Sequence, residues 1–411
     1  MRILILTLVS AGLLAAQERA TLIGKVTDAA GKAVEHATVM VYEAGVRKGY
    51  SIYCPTCYPD CGKHAVTDPE GNFTISGLNP DLVFTLLALH DGFSVTFVTK
   101  VDPAKGPAET AVLKTRTSPE NPQQIVRGRV VDIHGVPVRD ALVEQQGVAT
   151  SDEAGRTMRA FGPMNWIDLM AVTNQKGEFE IAYGKPAVSM ILQVTPRGMS
   201  AKLFTEPTGA EVKTMTVSDG ATVRGRLVMN GKPVPNAQIG LVTHSQMAGQ
   251  GLPEMRIGTR EDGTFAITNV PAGRIYYLYG RMESLAPQGV AAEMVACETK
   301  DDGQEVDVGD IQVRPAYTLR GMVKLSDGKP IPPDMRINLF PDRGRDSQSV
   351  LLGPDGKFEF KGIAKGVYDL APSVRGYRIG DANTMEELVD RDISGLMITL
   401  QPAPAPAGRG R

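Results

Sequence analysis

"LIGKVTDAAGKAVEHATVMVYE", Leu22–Glu43, decides the fold, because its pattern returns three more times along the chain. The later copies are "VRGRVVDIHGVPVRDALVEQ" from Val126, "VRGRLVMNGKPVPNAQIGLV" from Val223 and "LRGMVKLSDGKPIPPDMRINLF" from Leu319. Each copy has an apolar residue, a glycine two positions on, a short strand and a glycine-containing turn. An apolar-Pro or Ala-Val step and a second alternating strand follow. The opening glycines Gly24, Gly128, Gly225 and Gly321 recur at intervals of roughly a hundred residues, which is the length of one module.

A second signature lies inside every module: "TDPEGNFTI" from Thr67, "TNQKGEFEI" from Thr173, "REDGTFAI" from Arg260 and "GPDGKFEF" from Gly353. It reads as a tight turn whose glycine (Gly71, Gly177, Gly263 or Gly356) takes positive φ at little cost. Two residues later an aromatic (Phe73, Phe179, Phe265 or Phe358) points into the core, and the apolar residue two further on shares its face. With about seven short strands and no convincing long helix per module, the expectation is an all-β chain of small antiparallel β-sandwiches.

The opening G-x-V-x-D-x-x-G-x-P-V-x-x-A-x-V pattern, followed by T-D-x-x-G-x-F, resembles the carboxypeptidase regulatory-like domain, a transthyretin-like sandwich. The resemblance runs from about Leu22 to about Pro402. It is weakest in the fourth copy, where Pro333, Asp334 and Met335 disturb the small-residue step. It implies a tandem array of four transthyretin-like antiparallel β-sandwich domains in a supporting role, with no catalytic activity of its own. The expected organisation is a signal peptide over 1–16 and sandwich repeats over 21–117, 123–217, 220–315 and 317–402. A disordered Pro/Ala tail, "APAPAGRGR", fills 403–411.

Export is read from the first residues, "MRILILTLVSAGLLAAQERA". A positive charge precedes an apolar run from Ile3 to Leu14, too short for the roughly 20 residues that span a bilayer, with Ala15 and Ala16 behind it. No later run reaches spanning length, so the mature protein is expected in the periplasm, outside the cell or at its surface. Lys and Arg total 44 against 46 Asp and Glu, which leaves no excess positive charge to draw in nucleic acid or an anionic membrane. The expected partner is an envelope or extracellular protein, or a glycan.

No catalytic constellation stands out. The histidines are His36, His64, His90, His134 and His244, without the His-x-x-Glu or His-Glu-x-x-His spacing of a zinc hydrolase. The chain also has no Gly-x-Ser-x-Gly elbow, phosphate loop or dinucleotide fingerprint. The acidic stretch "DDGQEVDVGD", Asp301–Asp310, lacks the ligand spacing of an EF-hand loop. No cofactor is expected.

Two insertions carry the candidate site. The first and second modules hold about a dozen extra residues between their second strand and the turn signature. "AGVRKGYSIYCPTCYPDCGKHA" contains Tyr50, Tyr53 and Tyr58, and "QGVATSDEAGRTMRAFGPMNWIDLMA" contains Phe161 and the single tryptophan, Trp166. These aromatics are candidates for a ligand platform that stacks on sugars or anchors a partner, the alternative being that they cap their own sandwiches. Cys54, Cys57 and Cys61 lie in the first insertion, beside His64. Export favours at least one disulfide among the three cysteines. A Cys54, Cys57, Cys61, His64 zinc tetrahedron is the alternative. Cys297, in the third module, reaches them only if the modules fold back on each other.

Three function classes remain. The first is a non-catalytic binding, adhesion or envelope-scaffold protein. The second is a carbohydrate-binding protein using the two aromatic loops. The third, implied by the family resemblance alone, is an accessory regulator of a separately encoded hydrolase.

Overall fold

The computed structural model describes residues 19–51, 54–56, 58–152, 154–161, 168–243, 254–381 and 384–403. The leader, Tyr53, Cys57, Trp166, His244 and the tail beyond 403 lie outside them. The chain is all-β, built as tandem antiparallel sandwiches. In module one, the strand Ala20–Asp28 pairs antiparallel with Asn72–Leu78 and parallel with Ala111–Thr115. The facing sheet runs in the order His64–Val66, Thr38–Val46, Leu82–Leu89, Thr96–Val101. Modules two, three and four repeat the plan: Ile125–Val131, Ala221–Met229 and Tyr317–Leu325 each pair antiparallel with the strand after the turn signature. Each also pairs parallel with the last long strand of its module. Alternation puts every second residue between the sheets, and four separate cores result, within 22–113, 126–217, 221–313 and 319–400.

The two repeated signatures meet in space. Gly24 lies opposite Phe73, Gly128 opposite Phe179, Gly225 opposite Phe265 and Gly321 opposite Phe358. A Cβ at Gly128 would sit 2.3 Å from Phe179 Cε1, and one at Gly24 would sit 2.4 Å from Phe73 Cζ. The opening glycine is therefore the floor on which the core phenylalanine lies. Gly128→Ala should destabilise module two by about 1–3 kcal/mol through overpacking, seen as a lower melting transition in calorimetry. Phe179→Leu in the same chain should recover part of that loss. Gly45→Ala is the control, because no atom of the described residues lies within 4 Å of its Cβ position and its φ is not positive. Equal effects at Gly45 and Gly128 would refute the account.

The turn glycines Gly71, Gly177, Gly263 and Gly356 have φ between 74° and 80°, as their place after the turn residues requires. A third repeated device was not evident as such in the sequence. The buried hydroxyls of Thr67, Thr173 and Thr259 accept from the amides of Ala37, Ala141 and Ala237. They donate to the carbonyls of Val34, Val138 and Val234. This bond clips the second strand to the turn strand and explains the small-residue step. In module four, Met335 and Leu352 occupy the two places, and only the backbone bond from the Leu352 amide to the Met335 carbonyl remains. An apolar pair replaces the clip, so the fourth opening departs from the pattern without departing from the fold.

Candidate functional site

The modules do not form an extended string. The described residues of the module-one insertion, between 47 and 63, lie against modules three and four. The Tyr50 amide donates to the Asp334 carbonyl at 3.3 Å, and Tyr50 bridges Met335 in parallel. Arg336 Nε donates to the Lys48 carbonyl at 3.3 Å, and the Arg375 guanidinium sits 5.5 Å from the Tyr50 ring centroid. On the other side, Arg256 of module three donates to the Pro59 carbonyl, and Arg19 pairs with Glu283. Module one also packs on module two. Met40, Leu87 and Leu89 bury against Met170 and Val172, and Arg116 bonds Asp168 at 2.6 Å and Glu180 at 2.7 Å.

Behind this contact is a buried charge cluster. Arg281 is 2% exposed, and its Nη1 lies 2.7 Å from Glu254 Oε1, itself on a side chain 3% exposed. Tyr279 donates its hydroxyl hydrogen to the same oxygen at 2.6 Å, and Arg256 Nη2 holds the other oxygen at 2.5 Å. Module four closes the cluster with Asp346, which accepts from the Met282 amide at 2.5 Å and lies 4.0 Å from Arg281 Nη2. Burial pushes the Asp346 carboxyl up from 3.8 to about 7, against the pull of Arg281 and the Met282 amide. The same burial, with Glu254 adjacent, pushes the Tyr279 phenol well above its usual range.

Where modules one, three and four meet, a cleft of about 570 Å³ remains, with Tyr58, Asp60, Arg281, Asp346, Arg336 and Asn338 among its walls. Of the sequence-predicted aromatics, Tyr58 faces this cleft and packs half-buried on the core of module one. Tyr50 is engaged with module four, and Phe161 ends the outer strand of module two. The second insertion is in part a hairpin in which Gly147–Ser151 pairs with Thr157–Phe161, and the Asp152 amide donates to the Arg156 carbonyl at its end. Every residue of Thr157–Phe161 is exposed. Among the described members of the platform, Tyr50 and Tyr58 share one inter-module junction and Phe161 stands on a different module. Tyr53 and Trp166 lie outside the described residues.

The cysteines divide into two kinds. Cys54 is disulfide-bonded, whereas Cys61 and Cys297 carry free thiols. Burial pushes the Cys61 thiol up to about 12 and the Cys297 thiol to about 11, so neither is a thiolate at neutral pH. Cys61 Sγ donates to the Pro55 carbonyl at 3.3 Å, Cys297 sits in the core of module three, and His64 Nδ1 contacts the Gly62 carbonyl at 3.0 Å. No group of three metal-ligating side chains occurs among the described residues. We expect peptide mapping without reduction to find Cys54 joined to Cys57, with Cys61 and Cys297 alkylated only after unfolding. Four alkylatable thiols and one bound zinc per chain would refute the pairing.

No family model matches the chain, and no curated protein matches it. Solved structures with some likeness include the Bacillus anthracis TIE protein, 14% identical over 94% of this chain and 75% of that one, with a TM-score of 0.20. A streptococcal ancillary pilin is 13% identical over 69% of this chain and 100% of its own, with a TM-score of 0.23. GBS52, the minor pilin of Streptococcus agalactiae, is 13% identical over 47% of this chain and 100% of its own, with a TM-score of 0.24. TM-scores this low support no inference, and the all-β assignment stands on the sheets and cores described above. No helix among the described residues is long and apolar enough to cross a membrane.

Proposed function

We propose that this chain is an exported, non-catalytic scaffold of the cell envelope or surface. In this reading its four carboxypeptidase regulatory-like sandwiches act as one body that holds a protein partner. The observation that carries the reading is the clamp of residues 47–63: one insertion contacts two distant modules and ties them to the first. A rigid multi-module body suits presentation of a fixed surface better than independent modules on flexible linkers would. The apolar leader and the disulfide at Cys54 fit an oxidising compartment.

The test is binding of the purified mature chain to envelopes from the cells that encode it. Binding should be saturable and should disappear when the envelopes are first treated with protease. Binding that survives protease and is competed by released glycans would replace this reading with the carbohydrate-binding one. Absence of any envelope binding would end both.

A further inference from the structure

The three-module cleft has a built polar floor. Arg336, Asn338 and Phe340 alternate along the strand Arg336–Pro341, and all three line the cleft. Asn338 is 1% exposed. Its Nδ2 donates to the Ala371 carbonyl at 3.2 Å and to Ser373 Oγ at 2.9 Å, which fixes the amide orientation. Its Oδ1 has no hydrogen-bond partner among the described residues. A buried acceptor left unmatched costs about 1–3 kcal/mol and calls for an explanation.

Arg336 supplies the second unmatched group. Arg19, Arg281 and Lys361, the other cations of the cleft, each hold a carboxylate. Arg336 has no carboxylate partner among the described residues. Among the described residues its hydrogen bonds are three long contacts to neutral oxygens: Lys48 O at 3.3 Å, and Ser349 O and Oγ at 3.4 Å each. A guanidinium fork presented this way matches a carboxylate in bidentate geometry. Same-face neighbours on a strand are about 7 Å apart, so one small molecule can span Arg336 and Asn338. Tyr58 stands in the cleft wall contributed by module one.

We propose that the cleft binds a small organic acid whose carboxylate takes Arg336 and whose neighbouring N–H or O–H donates to Asn338 Oδ1. Both a uronic acid and the carboxyl terminus of a peptide present that chemistry. The site does not depend on the scaffold reading, since envelope binding and cleft occupancy are measured separately.

Calorimetric titration of the full mature chain tests it with two probes, D-glucuronate and N-acetylglycine, beside the neutral controls glucose and N-acetylglycinamide. At least one acid should bind with a Kd of about 1 mM or tighter, and the neutral controls should not. Arg336→Gln should weaken that binding at least about tenfold, Asn338→Ala about fivefold or more, and Arg336→Lys should restore part of it. Circular dichroism confirms that each variant is folded. If Arg336→Gln does not fold, the comparison of acid with amide on the unaltered chain decides. Binding of glucuronate alone or of N-acetylglycine alone supports the site and names its source. No binding of either acid, equal binding of acid and amide, or an affinity unchanged in Arg336→Gln would overturn it.

Discussion

Arg281→Met should lower the melting transition of modules three and four by an amount equivalent to about 3 kcal/mol. Glu254 would then keep its buried charge with only Arg256 and the Tyr279 hydroxyl to answer it, and Asp346 would lose its facing cation. The cost comes chiefly from stranding the carboxylates, since an intact buried pair often contributes little net stability. Arg281→Met combined with Glu254→Gln should therefore be more stable than the single substitution, which a simple loss of contacts would not produce. Because a chain of four cores need not unfold in one step, the readout is the calorimetric transition itself. Equal losses in the single and double variants would remove the stranded-charge account.

Acidification from about pH 8 to about pH 5 should stabilise the protein, by on the order of 3 kcal/mol for each of two buried carboxyls. Asp346 is raised by burial from 3.8 to about 7, opposed by Arg281 and the Met282 amide and assisted by Glu254 and Glu283. Glu144, at the junction of modules one and two beside Tyr42, is raised by burial from 4.5 to about 7, opposed by a bond with Gln146. A carboxyl whose folded value is raised favours the folded state fully below its unfolded value. That contribution is lost as the pH climbs through the folded value. The window for both groups thus runs from about pH 4 to about pH 7, and stability should fall across it as pH rises. Asp346→Asn keeps an acceptor for the Met282 amide and should be more stable than the native chain at about pH 8, with a flatter pH profile. Glu144→Gln should flatten the remainder. A melting temperature that rises from about pH 5 to about pH 8 would contradict both assignments.

The interior of each module was legible because its rules are periodic. Alternation placed Leu22, Val26, Phe73 and Ile75 between the sheets, and the turn glycines announced their own backbone. The repeats also implied that Gly24 and Phe73 mattered, although only the register shows that they meet. The packing of the modules on one another was not legible, because the groups that join them, such as Arg281, Glu254 and Asp346, lie far apart in the chain and belong to no repeat. The sequence does carry one trace of it. "RIYYLYG", Arg274–Gly280, and "LVFTLLAL", Leu82–Leu89, lose their alternation, with Tyr276–Tyr279 and Leu86–Leu89 buried on consecutive positions. A sheet that faces water on one side alternates, whereas a continuous apolar run marks a strand covered on both faces. Those runs lie where module four covers module three and where module two covers module one. The cysteines and tyrosines of the first insertion point to a disulfide and a ligand platform, whereas its mechanical engagement rests on backbone groups of Lys48, Tyr50 and Pro59 that no side-chain pattern reveals.

The parallel pairing of first and last strands has a bearing on tension. Because Ala20–Asp28 and Ala111–Thr115 run side by side in the same direction, the chain enters and leaves module one at opposite ends of that pair. The same holds for Ile125–Val131 with Val212–Thr216, Ala221–Met229 with Glu305–Pro315, and Tyr317–Leu325 with Ile393–Pro402. A pull on the two ends of a module is therefore directed along the strands, and the slanted bonds between them share the load at once. Opening the ladder one rung at a time would need a force across it, which this connectivity does not transmit. Each sandwich is strung in the orientation in which its edges slide last, and a molecule tethered at both ends would stretch at the junctions before any module gave way.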